Sequence, residues 1–157
     1  MSIIMYLLAV LMMVIVDQAV KYWAVTMLAS IGTIPLIPGV LSLTYVENRG
    51  AAFSILENQI WLFVALAVVI LCGIVYALKT DKIQAPIGKI SLLVIAAGAI
   101  GNVIDRVVNH YVVDMIETEF ISFPVFNVAD CFITCGCAAL LIHLIFFNKN
   151  FWKDAKA

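Results

Sequence analysis

A stretch of chain that stays uncharged across the thickness of a bilayer restricts the fold more than anything else in this sequence. Residues 60–78, IWLFVALAVVILCGIVYAL, carry no Asp, Glu, Lys or Arg. A helix of about 20 residues crosses the hydrocarbon, and a helix with no charged face has no side to offer water. Three further apolar windows, 3–16, 90–104 and 131–147, are shorter. They span only by taking in flanking residues, which include Asp17, Asp105 and Asp130. Composition agrees: 65% of the 157 residues are apolar, 12% are charged and the mean hydropathy is +1.13, far from the balance of a soluble domain. The sequence therefore predicts a membrane all-α protein with four transmembrane helices, at about 3–25, 58–78, 88–106 and 128–147, in one integral membrane domain covering 1–157.

Lysines orient the spans. Lys79, Lys82 and Lys89 fall between the second and third windows, and Lys149, Lys153 and Lys156 fall in the tail, all on one side of a four-span chain. The positive-inside rule makes that side cytoplasmic and puts both termini there. The start of the chain lacks a basic n-region and runs into DQAVK, which reads as an uncleaved anchor and not as a signal peptide. The opposite side receives 22–59 and 105–130. In the first of these, TIPLIPGVLSLTYVENRGAAFSIL has helix-breaking Pro35, Pro38 and Gly39 followed by the alternating LSLTY, which predicts a small extracytoplasmic β-sheet element between helices 1 and 2, over about 32–56.

Several chemistries lose support at once. The net charge of −1 and the absence of a basic run with interleaved aromatics argue against a nucleic-acid partner. Cys72, Cys131, Cys135 and Cys137 have no CxxC spacing and read as small packing residues. No HExxH, no Cys and His at metal spacing and no phosphate-binding glycine loop is present, so neither a metal nor a cofactor is expected. His143 lies 13 residues beyond Asp130, about 20 Å along a helix, too far to serve a triad there. His110 reads as a solvated loop residue.

The ionisable residues inside or beside the spans form a pattern. Asp17 and Lys21 are four apart and share a helix face. Gly98, Asn102 and Asp105 form a stripe with Arg106 beside it, and Asp130 heads another, preceded by Asn127. Asp17 with Lys21, and Asp105 with Arg106, read as structural ion pairs, the tolerated form of charge in a membrane. Asn102, Gly98, Gly101 and Thr134 serve equally well as helix-packing groups or as site residues. Asp130 is different, for no cation lies within a turn of it on its own helix. Its chemical counterpart is Asp114, in the apolar stretch YVVDMI on the same side. Two carboxylates brought together at a partly dehydrated boundary share a proton, one acting as base and the other as acid. An intramembrane ion or proton route is the rival reading, and a purely structural role a third. A transporter calls for ionisable groups through the whole bilayer depth, whereas these gather at one end.

Five blocks in order, DQAVK at 17–21, ENRGAAFS at 47–54, GNVIDRV at 101–107, VVDMI at 112–116 and FNVAD at 126–130, together resemble the bacterial lipoprotein signal peptidases, or signal peptidase II. The resemblance implies an intramembrane aspartic endopeptidase of the bacterial cell membrane, monomeric, that acts on diacylglyceryl-modified prolipoproteins held in membrane lipid and cuts just before the lipidated cysteine. It implies Asp114 and Asp130 as the catalytic dyad. Asn48 and Gly50 would hold the substrate backbone, Asn102, Arg106 and Asn127 would line the site, and Asp17, Lys21 and Asp105 would support it. Met115 departs from the family pattern, which more often has an aromatic residue there. The Pro and Gly punctuation and the aromatic Phe53 suggest that the outer sheet and the segment 105–125 close over the peptide.

Overall fold

The structure, a computed structural model, describes residues 3–50, 56–80 and 82–147. Four helices are long and apolar enough to cross a membrane: α1 (Ile3–Ile31), α2 (Ile60–Lys79), α3 (Pro86–Val108) and α4 (Val128–Phe146). Helix α3 is the buried centre, and α1, α2 and α4 pack around it with most of their apolar side chains facing outward. Its sequence explains the position. Pro86 stands in the first turn behind an extended Ala85, where a proline fits without losing a helix bond. Beyond it, Gly88, Ser91, Ala96, Ala97, Gly98, Ala99 and Gly101 are all buried, and small side chains let helices approach closely in lipid.

Gly98 makes one of the closest of these approaches. A Cβ there would collide with the carbonyl oxygen of Ala129 and lie 2.8 Å from Ile133 Cγ1, so α4 rests on bare α3 backbone just below Asp130. Substituting Gly98→Val is expected to destabilise the protein by about 1–3 kcal/mol, the usual cost of forcing extra volume into a packed contact. Thermal unfolding in detergent measures this, and an unchanged midpoint would refute the packing account.

Three antiparallel strands cap one end of the bundle in the order β1 (Thr33–Ile37), β2 (Leu41–Asn48) and β3 (Val112–Thr118). The first two form the hairpin expected between the first and second helices, turning through Gly39 at φ 73. The third was not expected. It comes from the connection between α3 and α4, so the sheet is not confined to 32–56 but ties both connections together, with Val46 opposite Asp114 and Asn48 opposite Val112. Helix α1 carries the sheet. Its π-helical turn Ala24–Leu28 buries Ala24 and Leu28 against Val113 and Met115 of β3. Met115 is 1% exposed, and its flexible thioether fills this junction.

Lys79, Lys82 and Lys89 lie in or beside the α2–α3 connection, at the end of the bundle away from the sheet. Lys149, Lys153, Lys156 and Phe53 lie outside the described residues.

Candidate active site

Strand β3 holds Asp114 by its pairing. Side chains alternate across a strand, and Asn48 is two residues beyond Val46, the partner of Asp114, so Asn48 and Asp114 share a face as a diagonal pair. Asn48 Nδ2 donates to Asp114 Oδ2 at 2.8 Å. On the other side Phe126 bridges back to Ile116 through reciprocal backbone bonds, which sets the next residue, Asn127, against the strand. Its Nδ2 donates to Asp114 Oδ1 at 2.6 Å. Asp114 is buried, and desolvation pushes its pKa up to about 6 against the opposing pull of the Asn48 hydrogen bond, with the Asp130 charge adding to the rise.

Asp130 is held by the start of α4. Asn127 is the N-cap: its Oδ1 accepts from Asp130 N at 2.9 Å, while Asp130 Oδ2 accepts from Asn127 N at 3.2 Å, a reciprocal capping box. The remaining oxygen, Oδ1, accepts from Asn102 Nδ2 of α3 at 2.8 Å. Asn127 thus ties the two acids together: its Nδ2 bonds the Asp114 carboxylate, its Oδ1 the backbone N–H of Asp130, and its own backbone N–H the Asp130 carboxylate, and only one orientation of its amide satisfies the two side-chain contacts.

Beneath lies a buried ionic group. Lys21 Nζ is 3.0 Å from Asp17 Oδ2 and 3.0 Å from Asp105 Oδ2, and it donates to Asn102 Oδ1 at 2.9 Å. An ammonium offers donors only, so it turns the Asn102 oxygen toward itself and leaves the NH₂ for Asp130. The two acids reach the site backbone. Asp17 Oδ1 accepts from Ala129 N at 2.9 Å and Asp105 Oδ2 from Val113 N at 3.1 Å, each the residue just before a site carboxylate. Gly101 makes room for this, since a Cβ there would strike Asp17 Oδ2.

The expected Asp17–Lys21 pair is present, but the expected Asp105–Arg106 pair is not. Neighbours in a helix point about 100° apart, so Asp105 turns inward to Lys21 while Arg106 turns to the cavity. There its Nη2 donates to Gly50 O at 3.3 Å and its guanidinium sits 4.9 Å from the Phe63 ring centroid of α2. Gly50 N donates to Asn48 Oδ1 at 3.0 Å. All of Asn48, Gly50, Asn102, Arg106, Asp114 and Asp130 line one cavity of about 610 Å³ bounded by α2, α3, α4 and β3, whose deeper wall is apolar. Asn127, Asp17, Lys21 and Asp105 stand behind that surface. His110 is exposed and His143 is buried against Gly88, away from the site.

Two participants were not singled out from sequence. Gln18 Nε2 lies within bonding distance of Asp17 Oδ2, Gly101 O and Asp105 Oδ1, at 3.2, 3.2 and 3.0 Å; its place inside the block DQAVK was the available signal. Phe63 had none, because α2 reads as uniformly apolar.

The geometry has a pH consequence. A donor to Asp114 stabilises its anion, so Asn48→Ala raises the Asp114 pKa above its value of about 6. Any rate that needs Asp114 protonated then persists to higher pH, and the alkaline limb of kcat/KM moves upward. An unmoved or downward-shifted limb would contradict this role for Asn48.

The model of the family described as signal peptidase (SPase) II matches residues 9–146. The chain belongs to that family. Lipoprotein signal peptidases of Streptococcus pyogenes serotypes M1 and M6 are 43% and 42% identical to it over 150 residues, covering 96% of this chain and 94% of each relative. A bacterial membrane enzyme solved by the in meso method at 2.3 Å resolution superposes with a TM-score of 0.86 at 33% identity, over 94% of this chain and 92% of its own. A second such structure, at 1.9 Å, gives 0.83 at 33% identity over 93% and 96%. The signal peptidase II family is one of proteases, and its member here is a multi-pass bacterial membrane protein.

Proposed function

We propose that this signal peptidase II homologue is an aspartic endopeptidase that removes the signal peptide of diacylglyceryl-modified prolipoproteins, cutting just before the lipidated cysteine. The observation that carries the reading is the joint exposure of Asp114 and Asp130 to one cavity, with Asn127 bonded to both. Asp114, the more buried of the two, keeps the proton and polarises the scissile carbonyl. Asp130 takes a proton from the attacking water. As the tetrahedral intermediate breaks down, the leaving amine gains a proton and the pair returns to a single shared proton. Arg106, Gly50 and Asn48 offer the polar edge on which an extended substrate backbone is held, and the apolar wall of α2, α3 and α4 receives the signal helix and acyl chains. The site lies at the end of the bundle opposite Lys79, Lys82 and Lys89, which supports an extracytoplasmic site and cytoplasmic termini. Acyl chains keep the scissile bond at that depth. The protein acts as a monomer, and the sheet with the segment 105–125 closes over bound peptide.

The test is to incubate the purified protein with one precursor, with and without its diacylglyceryl group. The expected product has the lipidated cysteine as its new N-terminus, and only the lipidated precursor is cut. Cleavage at another bond, or none, would overturn the reading; equal cleavage of both forms would overturn its lipid requirement.

A further inference from the structure

Two thiols share the cavity wall with the dyad and have no part in the hydrolysis proposed above. Cys131 directly follows Asp130 and is half-buried, and Cys135, which is exposed, is one turn further along the same face of α4; both line the cavity. The other cysteines do not. Cys72 and Cys137 are exposed on the outer surfaces of α2 and α4, where lipid would cover them.

The surroundings select what can reach Cys131 and Cys135. Facing them across the cavity are Leu66, Ala67 and Ile70 of α2, while the carboxylates Asp114 and Asp130 stand at its polar end. An apolar wall concentrates molecules that partition into lipid, and it disfavours anions because taking a charge out of water without a partner is costly, the one cation among the described residues of the lining, Arg106, already facing the two acids. From this geometry we infer that Cys131 and Cys135 form a covalent modification site for neutral, lipid-soluble soft electrophiles of the α,β-unsaturated carbonyl class. The chemistry is self-contained. The thiol first loses its proton, the thiolate sulfur forms a bond to the β-carbon, the alkene π pair takes up a proton at the α-carbon, and a thioether remains with no leaving group and no oxidant. The adduct occupies the space beside Asp130, so alkylation shuts the cavity to substrate. That last consequence rests on the proposed function; the site itself does not.

The experiment uses the full chain carrying Cys72→Ala and Cys137→Ala, treated in detergent with N-ethylmaleimide or with the anionic 2-sulfonatoethyl methanethiosulfonate. Peptide mapping is expected to locate the maleimide adduct on Cys131, Cys135 or both, and cleavage of a lipidated precursor to fall by about 10²-fold, the scale of loss that misplacing a substrate by about 1 Å can produce. The anionic reagent is expected to leave both thiols largely free. With Cys131→Ala and Cys135→Ala added, the ratio of treated to untreated cleavage returns to near one. Should neither thiol react in the folded protein while both react after unfolding in SDS, the site is refuted. Mapped adducts with cleavage undiminished would refute the blockage. Untreated protein that fails to cut the lipidated precursor would instead count against the proposed function, and the mapping alone would then decide the site.

Discussion

Replacing either carboxylate by its amide, Asp114→Asn or Asp130→Asn, is expected to lower kcat/KM on a lipidated precursor by about 10³-fold or more while the protein still inserts and folds. The size follows from losing proton transfer at the reacting atoms. The retained fold follows from the local bonding. An amide at 114 keeps an oxygen for one of its two donors, Asn48 or Asn127, and an amide at 130 keeps the helix-capping position. The two losses are not additive, because the pair works as one unit, so the double variant is expected to be no worse than either single one. Residual cleavage near the parent rate in any of these would remove the dyad mechanism.

The second large effect is expected at Lys21. It is 3% exposed and stands between two carboxylates that are themselves buried. Lys21→Met leaves both acids without their cation, and breaking a buried ion pair from one side costs about 3–5 kcal/mol. The variant should unfold at markedly lower temperature and lose activity. A neutral version of the whole group, Lys21→Met with Asp17→Asn and Asp105→Asn, separates the two effects. The amide oxygens can still accept from Ala129 N and Val113 N, so much of the stability should return. Activity should return only in part, because the Asn102 oxygen is then held away from Asp130 by the 3.3 Å bond from Asn127 Nδ2 alone. Full recovery of cleavage in the triple variant would reduce the group to a structural support.

Much of this architecture was legible before any coordinates, and the reason is physical. A bilayer imposes length and polarity on each span, so windows such as 60–78 announce themselves, and an acid such as Asp130 at the head of a span stands out against its surroundings. Proline and glycine at 35, 38 and 39 marked the hairpin. Strand β3 was harder. YVVDMI is too short to show a period and its Asp breaks the apolar alternation, so only pairing with β2 defines it. The true partner of Asp105 was hidden for a related reason. Adjacency in sequence favoured Arg106, whereas the helix turn and the approach of α1 gave the carboxylate to Lys21, a contact over 84 positions that no local pattern encodes. The roles of Ala129 N and Val113 N as donors were beyond reach altogether, since any residue other than proline offers the same group.

The bridge between Phe126 and Ile116 has a practical corollary for handling this molecule. One carboxylate rides on a strand outside the bilayer and the other on a membrane helix, joined by a few backbone bonds and one amide. A detergent that lifts the cap from the bundle by little more than the reach of those bonds would silence the protein while its four helices stay intact. Circular dichroism would report a healthy sample, and only an assay that senses the junction, such as protection of the Met115 and Ile116 amides from hydrogen exchange, would distinguish competent preparations from inert ones.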